Sequence, residues 1–500
     1  MKYLLALDQG TTSSRALVVD TDGNVLGMSQ QPFKQYFPKN GWIEHDPIDI
    51  LNSQIQVAEE AVARARISTN EIAGIGITNQ RETSILWERY SGKPIGRAIV
   101  WQDRRTASLC DQLIETGVEQ EINDRTGLFL DPYFSASKIH WSLENDKNLK
   151  EKANKGEIAW GTVDSWLVWN LTEGRQHVTD STNASRTLLY NIHDLEWDHF
   201  LLGLWGIPWE ILPEVVDSRG VVGTTNFLGP SVPIASLVGD QQASLIGQGW
   251  GKAGTTKCTY GTGCFLLMNT GEKPVKSRKR LLTTIASTVD GKAEYALEGS
   301  VFMGGAVFDW LKDNLDLINA IGDVEKLALE VPDNGGVVMV PGFTGLGAPH
   351  WDANATGLLI GLTRGTKKGH IARAAIEAIA WQVTDLVDCM LEDSGLTLQT
   401  IKVDGGAARN KLLMQSQADY LGVPLEVSAN VETTAIGAAI LAGNALGFCE
   451  RAHTDQFLEN KFFRYQPTAK ARRASFDSDR RLWREALKRS QNWLKQETNN

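Results

Sequence analysis

The stretch LLALDQGTTSSRALVVD, Leu4 to Asp20, sets two apolar runs either side of a turn that holds one acid, one glycine, four hydroxyl side chains and an arginine. Gly10 lets backbone approach a ligand closely, and the successive amides of Gly10, Thr11, Thr12 and Ser13 can form a concavity for an anion. The hydroxyls of Thr11, Thr12 and Ser13 add donors, and Arg15 adds a fixed positive charge. Asp8 would repel a bare phosphate. It fits if a divalent cation, Mg²⁺ reached through water, lies between carboxylate and phosphate. The same residues also suit a hydroxyl-rich hairpin turn in which Asp8 accepts its own backbone amides.

Two further glycine turns follow strand patterns. Gly261-Thr262-Gly263 repeats the first turn in the second half, and alone it reads as a simple hairpin turn. Asp404-Gly405-Gly406-Ala407, leading to Arg409 and Asn410, ends a strand and opens a helix; it exposes backbone to a flat base or ribose, or merely packs helix on strand. Asn79-Gln80-Arg81-Glu82 follows a strand too apolar for the surface. Its Arg–Glu pair is either structural or a clamp on hydroxyls, with Arg81 donating and Glu82 accepting. Asp240 is either a helix N-cap or a cleft carboxylate able to take a proton from an alcohol. Trp101 and Tyr133 suit a small pocket's walls as well as an ordinary core.

These residues need elements to hold them. YLLALD and SRALVVD read as paired strands, a helix is expected from about Pro47 to Arg66, and IAGIGIT reads as a buried strand. SILWE and RAIVWQD look like further strands, and WGTVDSWLVWNLT like a helix. In the second half TTKCTYGTGCFLLMNTGE repeats the strand–turn–strand opening, with helices at about Gly305–Ile318 and His370–Leu391. The chain therefore reads as two related α/β domains, 1–248 and 249–447, and a helical tail at 448–500 that packs its Trp and Leu residues on the body. A length of 500 residues suits two domains. The formal charge of −10 argues against a general nucleic-acid binder. Cys110, Cys258, Cys264, Cys389 and Cys449 have no CxxC spacing and read as buried, reduced thiols of a cytoplasmic protein. No leader pattern or membrane span is expected, and no histidine is assigned to a metal. GxxxxGK[ST], GxGxxG and HExxH patterns are absent, so a P-loop, a Rossmann site or a zincin is not supported.

In order, ALDQGTTSSR, NQRET, VWQDRR, DPYFSASK, GDQQAS, YGTGCF and DGGAARN resemble the FGGY family of carbohydrate kinases, from the first strand to about Gly447. NQRET with DPYFS and GDQQ favours glycerol over sugars. The resemblance implies an actin- and Hsp70-like ATPase fold (ribonuclease H-like), with two α/β domains flanking a deep cleft. It implies transfer of the ATP γ-phosphoryl group to a terminal glycerol hydroxyl, giving sn-glycerol 3-phosphate, with Mg²⁺ as cofactor, in a homodimer or homotetramer. By position, Thr11, Thr12, Ser13 and Arg15 would meet the phosphates. Asp8 would approach Mg²⁺ through water, with Asp240 a second candidate. Arg81, Glu82, Trp101, Tyr133, Asp240, Gln241 and Phe265 would surround glycerol, with Asp240 as base. Thr262, Gly305, Gly406 and Asn410 would bind the nucleotide from the second domain. Asp309 stands where the family often has Gln beside the nucleotide. The loop TTNFLGPSVP lacks the glycine- and arginine-rich segment that binds a sugar bisphosphate in some relatives, and the histidine phosphorylated in others. The alternatives are a kinase for another polyol or ketose, or an actin/Hsp70-like ATPase without small-molecule transfer.

Overall fold

The computed structural model describes residues 2–229, 231–352, 354–429, 432–448, 462–468 and 473–494. Cys449 lies outside the described residues; Cys110, Cys258 and Cys264 are buried and Cys389 half-buried, all as free thiols.

The first half opens on an antiparallel meander, β1 (Tyr3–Gln9), β2 (Ser13–Val19) and β3 (Val25–Pro32). Helix α1 (Pro47–Ala65) follows, started by Asp46 accepting from the Ile48 amide, and buries Ile50, Val57, Ala58 and Ala61 against the sheet. Next come β4 (Ile72–Asn79), α2 (Ser135–Asn145), β5 (Arg219–Thr225), β6 (Val232–Gly239) and α3 (Asp240–Gly247). The sheet order is β5-β6-β4-β1-β2-β3, with β1 and β6 each parallel to β4. Ile85–Glu88 and Ala98–Ile99 are strands, as SILWE and RAIVWQD suggested, but they pair outside this sheet. Within WGTVDSWLVWNLT the helix spans Val163–Leu171 only, because Ile158–Gly161 is a strand.

The second half holds β7 (Thr256–Tyr260), β8 (Cys264–Gly271), β9 (Leu282–Val289), β10 (Lys292–Val301), α4 (Ala306–Asp313), α5 (Lys368–Ser394), β11 (Ile401–Asp404), α6 (Lys411–Leu421), β12 (Leu425–Ser428), α7 (Thr433–Ala445), β13 (Phe462–Tyr465) and α8 (Arg473–Ser490). Its sheet order is β9-β10-β8-β7-β11-β12-β13. The run β10-β8-β7-β11-β12 repeats β3-β2-β1-β4-β6 strand sense for strand sense, so the chain uses one plan twice. Helix α4 stops at Asp313, short of Ile318, and Asp316 turns the chain with φ 49°. Helix α8 buries Trp483, Ala486 and Leu487 in the second core, and the Trp483 indole donates to Asp385 at 2.7 Å.

The two halves meet through α3 and α7. Helix α7 comes late in the chain yet packs on β1, β4 and β6 of the first sheet, with Leu4, Ala6, Ala235 and Val238. It crosses α3 so closely that a Cβ on Gly437 would lie 1.8 Å from the Ala243 carbonyl oxygen, and one on Gly247 1.9 Å from that of Thr433. Only glycine fits these two positions. On its other side α3 packs Leu245 against Leu267, Ala286 and Ala296 of the second sheet. A helix gripped on every side must be apolar all round, which accounts for AIGAAILAGNALGF without a membrane. Among the described residues no helix is long and apolar enough to cross one.

Candidate active site at the junction of the two sheets

The opening turn is the β1–β2 hairpin, in which Asp8 faces Arg15 across the strands and the Gly10 amide bonds to the Ser13 carbonyl at 3.0 Å. It is braced from behind. Gln80 donates to the Gly10 carbonyl at 3.1 Å, and Gln35 to that of Thr11 at 3.1 Å. Buried His45 donates through Nε2 to Gln35 Oε1 at 2.6 Å and accepts from Gln80 at Nδ1, 3.5 Å away. Thr12 is left exposed, and Thr11 and Ser13 partly so.

Burial lowers the His45 imidazole from 6.5 to about 4, and that of His177 likewise, there against the pull of the Trp160 carbonyl. A folded value below the unfolded one means the neutral ring stabilises the fold fully above pH 6.5. That stability drains as pH falls toward 4, by up to about 3 kcal/mol per histidine. Urea unfolding between pH 7 and 4 should show this loss, and His45→Gln should remove one histidine's share.

Arg15 is not the free cation that the sequence suggested. Its guanidinium pairs with Glu432, just before α7, and lies 3.5 Å from Asp8. Asp8 is itself raised to about 7, by burial opposed by Arg15, with Glu432 and Asp240 adding repulsion. Anions thus outnumber cations around a carboxylate whose side chain keeps 10 % of its surface exposed. That imbalance fits a divalent cation, held through water rather than by a closed ligand cage. Among the described residues no group of three or more His, Cys, Asp or Glu side chains is set to hold a metal by itself.

Arg81 and Glu82 lie just past the end of β4. Glu82 adopts φ 61°, a left-handed backbone costing about 1 kcal/mol outside glycine, so the surroundings hold this turn in place. Paired amides of Asn79 and Asn183, at 3.0 and 3.1 Å, fix one side. Thr182, accepting from the Gly239 amide at 2.8 Å, ties in the end of β6. Buried Arg81 reaches Asp240 at 3.3 Å and Glu298 of β10 at 2.7 Å. Arg186 donates to Glu82 at 2.7 Å and to Glu298 at 2.9 Å. The result is a buried ring of two arginines and two glutamates spanning both halves. Burial pushes Glu298 up, but the two arginines overcome this and hold it at about 2; burial wins at Glu82, whose carboxyl is raised.

Asp240 is the first residue of α3 rather than its N-cap, which is Gly239. Its Oδ1 accepts from the Gln241 amide at 2.7 Å, and 30 % of its side chain stays exposed. Burial raises its carboxyl, against the pull of Arg81 and Lys257. Trp101 and Tyr133 meet edge to face at 5.4 Å, and the Trp101 indole donates to Thr11 Oγ1 at 2.9 Å. The Trp101–Tyr133 pair is therefore bonded directly to the first hairpin. The buried Lys138 ammonium holds the Tyr133 loop by donating to the carbonyls of Pro132, Tyr133 and Phe134 at 2.6–3.0 Å. Phe265 shares a strand face with Leu267, which packs on α3, and so is turned toward the same junction.

The second and third turns share a floor of small residues. The Gly305 amide bonds to the Gly261 carbonyl and the Gly304 amide to that of Thr262, each at 2.8 Å. Gly405, at φ 95°, lies so near Tyr260 that a Cβ would fall 2.4 Å from the Tyr260 carbonyl oxygen. Thr262 and Gly406 are exposed above this floor. The Asn410 side-chain Oδ1 is already committed, capping α6 by accepting from the Leu413 amide at 2.9 Å, so any ligand contact of the side chain is left to its Nδ2. Asp309 is exposed on α4. Asp404 accepts from Ser244 of α3 at 3.1 Å and from Gln248, just past its end, at 2.8 Å, and also from Thr433. Sequence reading passed over Glu298, Arg186, Lys257 and Glu432. Their one signal was a lone charge in, or just outside, an otherwise uncharged apolar run.

Residues 3–247 match the N-terminal domain, and residues 256–446 the C-terminal domain, of the FGGY family of carbohydrate kinases. A glycerol kinase of Alkalilimnicola ehrlichii is 53% identical over 499 residues, covering 99% of each chain. Glycerol kinase 2 of Thermotoga maritima is 52% identical over 502 residues, 99% of this chain and 100% of that one. The crystal structure of Plasmodium falciparum glycerol kinase with ADP superposes with a TM-score of 0.93 at 35% identity, over 98% of both chains. The expected actin-like ATPase fold of two α/β domains is the one observed.

Proposed function

The chain belongs to the FGGY family of carbohydrate kinases, and from that premise we propose that it transfers the γ-phosphoryl group of ATP to a terminal hydroxyl of glycerol, giving sn-glycerol 3-phosphate. The observation that carries this reading is the Trp101–Thr11 hydrogen bond of 2.9 Å, which fastens a small polar pocket to a hydroxyl-rich hairpin. An ATPase without an acceptor has no use for that junction.

Phosphoryl transfer is chiefly a matter of position and charge. Arg81 donates to, and Glu82 accepts from, the glycerol hydroxyls, while Trp101, Tyr133 and Phe265 enclose the carbon chain. Burial pushes the Tyr133 phenol up, so it stays protonated and able to donate. Thr11, Thr12, Ser13 and the hairpin amides cradle the phosphates. Arg15 joins them by exchanging Glu432 for phosphate oxygen. Thr262, Gly305, Gly406 and Asn410 hold the nucleotide from the other side. Asp240 orients the attacking hydroxyl and takes its proton. Mg²⁺, held through water at Asp8 with Asp240 as the further carboxylate, would supply charge neutralisation on the phosphates. The same reading makes the chain a cytoplasmic homodimer or homotetramer built from domains 1–248 and 249–447.

The test is ATP consumption with glycerol, dihydroxyacetone, erythritol, xylulose or no acceptor. Because a pocket built on hydroxyl contacts rejects partners that leave them unpaired, glycerol should exceed the acceptor-free rate by at least ~100-fold. Equal rates with and without glycerol would overturn the proposal.

A further inference from the structure

A buried lysine lies beside this pocket on the opposite sheet. On β7, Cys258 and Tyr260 face the second core, so Lys257 and Thr259 face α3. Lys257 is fully buried, and its ammonium donates to Gln241 Oε1 and, at 3.0 Å, to Thr259 Oγ1. Among the described residues no carboxylate bonds it directly; its charge is balanced at longer range by Asp404 and Asp240. Burying an ammonium on two neutral oxygens is expensive, and an apolar side chain would fill this space more cheaply.

What the lysine does follows from donor and acceptor inventory. An ammonium can only donate, so Gln241 must turn its amide oxygen toward Lys257. The planar amide then points its amino group away, and Nε2 makes no hydrogen bond among the described residues. We propose that Lys257 is a positioning residue that fixes the sense of the Gln241 amide, so that the acceptor pocket presents a donor there and selects for a hydroxyl oxygen at that point. This inference rests on the acceptor-pocket reading given above.

Lys257→Met keeps the length and removes the donor, freeing the amide to turn over. The KM for glycerol should rise about tenfold, the worth of one hydrogen bond, with kcat within about threefold of the parent. Preference for glycerol should shrink by a similar factor against whichever of 1,2- and 1,3-propanediol lacks the hydroxyl that Gln241 meets, and hold against the other. Because the lysine acts through Gln241, Lys257→Met should change KM less than about twofold in a Gln241→Leu background. Thr259→Val, which removes one anchor and keeps the charge, should raise KM about threefold with the same dependence on Gln241, and it decides the matter if Lys257→Met does not fold. An unchanged KM, or an equal rise in both backgrounds, overturns the positioning role. Turnover of glycerol by the parent enzyme is measured first, so failure of the functional reading is distinguishable from failure of this one.

Discussion

Asp240→Asn should lower kcat for glycerol phosphorylation at least 100-fold, the usual contribution of a general base, and leave the fold intact. Asparagine is isosteric, and its Oδ1 can still accept from the Gln241 amide, now at 2.7 Å, beside the Arg81 guanidinium at 3.3 Å. What it cannot do is accept a proton. Burial has raised the Asp240 carboxyl above the ordinary carboxylate value, bringing its basicity closer to the working pH, while Arg81 and Lys257 keep it from rising further. A loose transition state leaves the proton in place until late, so the loss should fall on kcat, with the KM for glycerol changing little because Arg81 and Glu82 still grip the hydroxyls. Steady-state kinetics, with unfolding curves for parent and variant side by side, read both parts. An unchanged kcat in a folded variant removes Asp240 from the reaction.

Much of this site was legible because its parts are local. A glycine turn between apolar runs announces itself within ten residues, so the β1–β2 and β7–β8 hairpins and the Asp404 turn could be read where they stand, along with Asp8 and Asp240 at strand ends. Partners were not legible. Arg15 reads as a charge aimed at an anion because Glu432 is 417 residues away. Arg81 and Glu298 are separated by 217 residues, and Arg186 and Glu298 by 112. Nothing in YALEGSV says which cation its glutamate meets. Helix α7 shows the same limit at the level of elements. Its uniform apolarity says that it is buried on all sides, but a late helix crossing back to the first sheet is a fact of topology, not of period. The N-cap alternative at Asp240 failed by a single residue, because Gly239 ends β6 in an extended conformation and starts the helix itself.

Glu298→Leu should be the most destabilising single change in the site, at about 3–5 kcal/mol, because it leaves two buried guanidinium groups with one carboxylate between them. Glu298 is 2 % exposed and accepts from Arg81 at 2.7 and 3.1 Å and from Arg186 at 2.9 Å. The pH dependence gives a separate estimate. Its folded value of about 2 lies below the ordinary 4.5, so its share of stability is complete above pH 4.5 and lost as pH falls toward 2. That depression amounts to roughly 3 kcal/mol at neutral pH, in line with the cost of breaking the cluster. Glu298→Leu should therefore unfold at lower urea than the parent at pH 7, and the gap should close as the pH is lowered through 4. Removing a cation as well should restore part of the loss: Glu298→Leu with Arg186→Met should be more stable than Glu298→Leu alone, a coupling expected only if the residues form one charge cluster. The effect should reach the chemistry too. Arg81 is held by Glu298 on one side and Asp240 on the other, so without Glu298 its guanidinium is free to swing onto Asp240, and the KM for glycerol should rise even where the variant stays folded. A loss below about 1 kcal/mol, the scale of an exposed pair, would mean that the ring contributes no more than surface charges do.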